Sequence, residues 1–486
     1  MEERYIATVD LGTSKIALTV AKVTGQDMQI LFYRERPSAG IRYGSVFNPS
    51  HASASLSALV AEAESELSIK IMQAVVGLPR FGVQQETASA AVARPSDSSC
   101  ISREEVDNVK EMALDSYPLD NPDTEIIYGA EAQSFSTEDQ MSCSEEEIVG
   151  IPSSTLEGNF KVFVGPSRPV SNLDKMLNLS GIALARKVFL PGATAEATLS
   201  REEKDNGVAL IEMGAGVTSV TIYQRGILRY YGAIPFGGQS ISSDIKYECG
   251  FSAQLAENVK LAFGACRPDK LQNMSDKILQ IENHDDGTDQ QLPVKYLSEI
   301  IHARCSEILE AILFLIQESG YADRLRNGVV LTGGGALLTG CAALLKDLSG
   351  YNVRIGFPRT QHFSWSGCPG IGEPSAVSSV ALLLASKDDA HLNCTTAPEP
   401  EETEEGPASE TPEADAPAQE GGQEAAETPS ESVDPDGTVF DPNAFGKKEK
   451  VKKEKKPHKQ LPPVNWIKEK VKVISGTLDG FYKEMN

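Results

Sequence analysis

The stretch Val9-Asp10-Leu11-Gly12-Thr13-Ser14-Lys15 gathers a carboxylate, a glycine, two hydroxyls and a lysine. These residue types suit a phosphate ligand. Gly12 lets the backbone approach closely. Backbone amides with Thr13, Ser14 and Lys15 can face phosphate oxygens. Asp10 can hold a magnesium ion through water, because that ion keeps much of its hydration shell. Taken alone, the stretch reads equally well as an ordinary hairpin. Apolar runs at 5–9 and 16–21 flank it. Both are short, β-rich and partly alternating, so they are expected as strands with this stretch at the turn between them.

The pattern returns in the second half. The buried-type run 208–213 carries Glu212 and leads into Met213-Gly214-Ala215-Gly216-Val217-Thr218. Return strands are expected at 217–223 and 226–231, as 29–33 continues the sheet in the first half. Such an internal repeat is far more specific than either copy alone. A third glycine segment, Gly333-Gly334-Gly335-Ala336, follows the apolar run 329–332 and is expected to open a helix. Backbone amides there can sit against a nucleotide without side-chain obstruction. The expected arrangement has two opposed hairpins clamping phosphates from two domains, with the third turn under the adenosine.

The remaining elements must position these turns. Helices are expected at 53–68, 102–116, near 170–180, at 192–200, over much of 240–319 and at 375–386. Ser102 and Glu105 have the spacing of a capping box. Short strands are expected at 73–78, 125–128, 147–151, 159–164 and 185–190, and a surface loop or hairpin at 282–291. Residues 82–163 break the rhythm and read as a small α/β module inserted into the first domain.

Composition sets limits. The 486 residues are 40% hydrophobic, enough for about three domains and a sizeable core. No apolar run is long enough to span a membrane, and the N-terminus leads straight into a strand, so no signal peptide is expected. Eight scattered cysteines, without Cys-x-x-Cys pairs, fit a reducing cytoplasm and argue against structural zinc. The net charge of −24 is uneven. Residues 388–446 hold 17 acids and no lysine or arginine, whereas 447–486 hold 12 lysines and 5 acids. The body, 1–387, nets −14, which argues against nucleic acid as a partner. The acidic stretch has almost no large apolar residues and is expected to be disordered and extended.

The order and spacing of the three glycine turns resemble the actin-like ATPase superfamily, and within it the FtsA family. The resemblance covers 4–387 and then 464–485. It rests on 9–15, on the helix beginning Ser102-Arg103-Glu104-Glu105-Val106, on Ile234-Pro235-Phe236-Gly237-Gly238-Gln239, on Ala256-Glu257-Asn258-Val259-Lys260 and on 333–336. It implies an α/β, actin-like fold of two related ATPase-type domains. Subdomain 1A would be 1–81 with 164–195, closed by the helix 375–386. The insert 82–163 would be the family's own subdomain 1C. Subdomain 2A would be 196–237 with 303–374, and 2B would be 238–302. A disordered acidic linker, 388–446, a basic linker, 447–463, and an amphipathic helix, 464–485, would follow.

The resemblance further implies ATP and Mg2+ as ligands, with Glu257 and Lys260 meeting ribose and adenine. From the residues alone, Glu257 and Lys260 are a surface i,i+3 ion pair. Implied partners are the C-terminal peptide of FtsZ, held within about 238–302, further copies of the chain in a filament, and other division proteins through subdomain 1C. The implied location is the cytoplasmic face of the inner membrane at the septum. The second hairpin departs from the family. Glu212 and Ser219 stand where aspartates are usual, Ala215 replaces a glycine and Val217 a hydroxyl residue. Ser219 cannot act as a carboxylate base, so ATP binding with slow or negligible turnover, and no catalytic residue, is expected.

In the tail, Ile467, Val471, Ile474, Leu478, Phe481 and Met485 recur at helical spacing. Lys468 and Lys472 lie toward the opposite side, and Trp466 and Lys470 flank the stripe. The composition suits an interfacial helix on an anionic membrane surface. The eight lysines of 447–459 would assist, at about 1 kcal/mol each. The plainer alternative is a helix packed back on the body. Two other functions fit the same fold, a small-molecule kinase and a pilus-platform protein. The first needs a catalytic base that the sequence does not offer, and neither needs an amphipathic tail.

Overall fold

The computed structural model describes residues 3–94, 99–282 and 289–396. Two sheets in it share one topology. In the first, Ala183–Val188, Gln73–Gly77, Glu3–Leu11, Lys15–Thr24 and Asp27–Pro37 lie side by side. In the second the order is Val353–Ile355, Val329–Thr332, Val208–Met213, Thr218–Gln224 and Ile227–Ile234. Each central strand pairs antiparallel with the strand that follows it and parallel with one that returns after a crossover. Val, Ile, Leu and Ala dominate these strands because helices cover both faces and leave few positions in water.

The helix Pro49–Leu67 buries Ala52, Leu56, Leu59 and Ala63 on the first sheet. Burial of each leucine contributes about 2 kcal/mol. This helix starts at Pro49, ahead of the expected 53, because Asn48 caps it and Pro49 occupies its first turn. The expected helix 192–200 resolves into Leu190–Thr198 and a separate Arg201–Asn206, which Ser200 opens with a capping box.

The segment 82–163 forms its own three-stranded sheet, in the order Gln84–Ala93, Thr155–Pro166, Glu125–Ser136. The helix Arg103–Asp115, opened by the Ser102–Glu105 capping box, lays Val106, Val109 and Ala113 on that sheet. One expectation fails here. Residues 147–151 are not a strand. Glu145–Ile148 is one helical turn, because Ser144 and Glu147 cap each other reciprocally.

In the second half, Gly238–Cys249 packs against both Ala253–Phe263 and Val294–Glu318, and Val294–Glu318 also touches the hairpin formed by Ile278–Glu282 and Asp289–Pro293. The closing helix Val377–Ser386 packs against Leu190–Thr198 and the strand Glu3–Leu11. The acidic stretch does not leave the body at 388. Leu392 and Cys394 are buried, and the Cys394 amide donates to the Tyr5 carbonyl at 2.7 Å. The Met72 amide donates to the Cys394 carbonyl at 2.9 Å, so 388–396 belongs to the folded body. These two apolar anchors are diluted by the acidic composition of the longer stretch. The rest of the linker and the amphipathic tail lie outside the described residues. Among the described residues, no helix is long and apolar enough to cross a membrane.

Candidate functional site

The two glycine hairpins close in the same way. The Gly12 amide donates to the Lys15 carbonyl at 2.9 Å, and the Gly214 amide donates to the Val217 carbonyl at 2.9 Å. Gly12 is therefore equivalent to Gly214, and Asp10 to Glu212. The hairpins face each other. A Cβ added at Gly216 would lie 2.6 Å from Thr13 Oγ1, so only glycine fits there. Thr13 Oγ1 in turn accepts the Gly44 amide at 3.0 Å, which fixes the first hairpin against the neighbouring loop.

Between them opens a cavity of about 600 Å³, floored by Gly333, Gly334 and Gly335. Gly333 has a φ of +87°, and a Cβ there would meet the Met213 carbonyl oxygen at 2.5 Å. The glycine segment thus packs directly on the end of the second hairpin's strand. It does not open an α-helix, as the sequence suggested. Gly334–Leu337 is a 3-10 turn, and the α-helix begins only at Cys341 after Gly340, whose φ is +84°. Consecutive glycines disfavour a regular helix.

Asp10, Gly12, Thr13, Ser14 and Lys15 line the cavity, as do Glu212, Gly214, Ala215, Gly216 and Val217. Glu257 and Lys260 stand on its wall as well. Two residues singled out from the sequence do not line it. Thr218 is buried and its hydroxyl donates to the Phe236 carbonyl at 2.8 Å. Ala336 is buried within the glycine turn. Trp466, Ile467, Lys468, Lys470, Val471, Lys472, Ile474, Leu478 and Phe481 lie outside the described residues.

The charged groups are paired. Lys15 Nζ donates to Glu35, which also accepts the Tyr33 hydroxyl. Burial, reinforced by the Glu35 charge, pushes the Tyr33 phenol far above its ordinary range. Glu212 Oε1 lies 2.8 Å from Arg80 Nη2 and accepts the Ser378 hydroxyl at 2.9 Å. Asp10, itself buried, accepts the Ser379 hydroxyl at 3.4 Å. Consecutive serines of the closing helix thus touch the equivalent acids of the two hairpins. Lys260 Nζ bonds Glu257 at 2.8 Å and the Gly238 carbonyl at 3.1 Å. The i,i+3 ion pair forms, and it does so on the cavity wall. Ser219 is buried opposite Glu212 in the register and does not reach the cavity.

Sequence reasoning missed Arg80, Glu35, Ser378 and Ser379. Arg80 carried a signal: it follows the buried strand Gln73–Gly77, whose place in the first sheet is that of Val329–Thr332 in the second.

A family model described as "Cell division protein FtsA" matches residues 209–381. The cell division protein FtsA of Borreliella burgdorferi is 30% identical over 400 residues, which span 81% of this chain and 93% of that protein. The chain belongs to the FtsA family. Its FtsA relative in Bacillus subtilis is 27% identical over 382 residues, covering 78% of this chain and 83% of that protein. A solved chain described as "PilM-PilN type IV pilus biogenesis complex" superposes with a TM-score of 0.55 at 17% identity, covering 79% of this chain and 98% of its own. That likeness concerns the fold. The duplicated sheets and the cleft between them are those of the actin-like fold, and membership of the FtsA family makes this a cell-division protein.

Proposed function

We propose that this FtsA-family protein binds Mg–ATP in the cleft, assembles head to tail with further copies of itself, and tethers FtsZ to the cytoplasmic face of the inner membrane at the septum. The observation that carries the nucleotide reading is the meeting of two equivalent hairpins, at Thr13 and Gly216, over a side-chain-free floor. Amides and hydroxyls of Thr13 and Ser14 would face phosphate oxygens, as would the amides of Ala215, Gly216 and Val217, while Gly12 and Gly214, whose amides close the hairpins, would let the backbone come close. Thr218 would support the second hairpin from beneath, through its bond to Phe236. Glu257 and Lys260 would meet ribose and adenine, and Gly333, Gly334 and Gly335 would carry the adenosine, with Ala336 behind them.

The donor set fits magnesium. That ion is commonly held by one or two carboxylates together with water and substrate phosphates. Asp10 and Glu212 would supply the two, through water. Bound Mg2+ would neutralise phosphate charge. Turnover would be slow, since Ser219 is buried and is no carboxylate base.

The subdomain boundaries belong to the same proposal. Residues 238–302 would grip the FtsZ C-terminal peptide. The insert 82–163 would recruit other division proteins. The tail stripe from Trp466 to Met485 would lie in an anionic membrane surface.

Calorimetric titration with ATP, followed by electron microscopy with and without ATP, tests the body of this proposal. Saturable ATP binding and ATP-dependent filaments are expected. Failure to bind ATP in the presence of Mg2+ would sink it.

A further inference from the structure

Arg80 has no part in the reading above, yet it stands on the cavity wall. It sits just past Gln73–Gly77, which runs parallel to Glu3–Leu11 as Val329–Thr332 runs parallel to Val208–Met213. Leu78-Pro79-Arg80 leaves the first strand where Gly333-Gly334-Gly335 leaves the second. The two turns are therefore equivalent positions of a duplicated fold.

A nucleoside triphosphate is not itself symmetric. Lying across the two hairpins, it has its base near one turn and its last phosphate toward the other. The glycine turn suits the base, because no side chain obstructs it. The helix carrying Glu257 and Lys260 also ends beside it, where a Cβ on Gly264 would lie 3.1 Å from Leu338. The Arg80 turn then faces the opposite end of the ligand.

The contacts of Arg80 point the same way. Nη2 alone makes both of its contacts, 2.8 Å to Glu212 and 2.8 Å to the Ser378 hydroxyl. Nε is buried and has no acceptor among the described residues. A buried donor without a partner is costly. Guanidinium prefers to engage an anion through two parallel N–H groups, a geometry that phosphate offers. We infer that Arg80 binds the terminal phosphate of the nucleotide, exchanging Glu212 for it and releasing that carboxylate toward the metal side of the cleft. The inference rests on the nucleotide reading of the cleft.

The test is competitive titration of the full chain with ATP, ADP and AMP, in EDTA and in Mg2+. For Arg80→Ala, ATP affinity is expected to fall about 30-fold, the usual scale for losing a charged hydrogen-bond partner, with ADP and AMP unchanged. Arg80→Lys keeps the charge without the fork and should fall in between. Glu212→Gln removes the competitor, so ATP should bind more tightly in EDTA, and a double-mutant cycle should show that gain vanishing beside Arg80→Ala. If Arg80→Ala does not fold, the lysine variant and Glu212→Gln carry the measurement. An unchanged ATP-to-ADP ratio, or a Glu212→Gln gain that persists without Arg80, overturns the inference. If the parent chain binds none of the three nucleotides, the reading of the cleft fails and takes the inference with it.

Discussion

Gly216→Ala puts the clamp under direct strain. The new Cβ would lie 2.6 Å from Thr13 Oγ1 and 2.7 Å from its Cγ2, where ordinary contact begins at 3.4 Å. Thr13 cannot step aside freely. Its hydroxyl accepts the Gly44 amide at 3.0 Å, and a β-branched side chain is stiff at χ1. Moving it costs about 1 kcal/mol for the hydrogen bond and about 1 kcal/mol for leaving its rotamer. The alternative is to part the two hairpins. Either route sets about 2 kcal/mol against the closed cleft, equivalent to roughly 30-fold in nucleotide affinity. The two sheets and their cores are untouched, so the melting temperature should move by less than about 4 °C. Titration of parent and variant with ATP, alongside thermal melts, reads both quantities. Thr13→Ser in the variant background removes Cγ2 and should restore part of the affinity. A variant that binds ATP as tightly as its parent would refute the reasoning that the hairpins close on the ligand.

Other outcomes follow from single contacts. Arg94 is buried, and its guanidinium bonds Glu105 at 2.9 Å and the carbonyls of Ser99 and Cys100 at 2.8 and 3.0 Å. Arg94→Ala should destabilise the insert by about 2 kcal/mol, the scale for removing a charged donor from buried carbonyls, visible as lower hydrogen-exchange protection in 99–166 with ATP affinity retained. The Arg94 hydrogen bonds, with help from the Ser102 amide, hold the Glu105 carboxyl below its ordinary 4.5. That lowered value contributes stability above pH 4.5, lost as pH falls through the folded-state value, so hydrogen-exchange protection in the insert, corrected for the intrinsic pH dependence of exchange, should fall on acidification. Arg94→Ala should weaken this pH dependence, leaving the part that the Ser102 amide supplies. Burial pushes the Cys394 thiol up to about 11, and Cys249, Cys266, Cys305, Cys341 and Cys368 are buried too. An aromatic disulfide reagent should therefore label Cys100 and Cys143 first in the native protein and the rest only on unfolding.

Much of the cleft was legible because its chemistry is local. A glycine between an acid and two hydroxyls, repeated after an equivalent strand, constrains the backbone within a few residues. The Ser102–Glu105 capping box is local in the same sense. What escaped depends on distance in space. Lys15 reads as a phosphate cation in sequence, yet it bonds Glu35 on the neighbouring strand. Glu212 reads as a metal acid, yet Arg80 and Ser378 reach it from widely separated points of the chain. Residues 147–151 have the apolar look of a strand in Ile148, Val149 and Ile151, and the reciprocal cap of Ser144 and Glu147 makes Glu145–Ile148 a helical turn instead. Leu392 and Cys394 are two buried residues at the edge of an acidic stretch, a signal that average composition removes.

Sedimentation with anionic liposomes tests the tether most directly. The full chain is compared with one truncated after Pro463, each with and without ATP and an FtsZ C-terminal peptide. The account predicts that the full chain pellets with the liposomes and carries the peptide down, while the truncated chain still binds ATP and stays in solution. Both chains remaining in solution, or the full chain pelleting without the peptide, would contradict it.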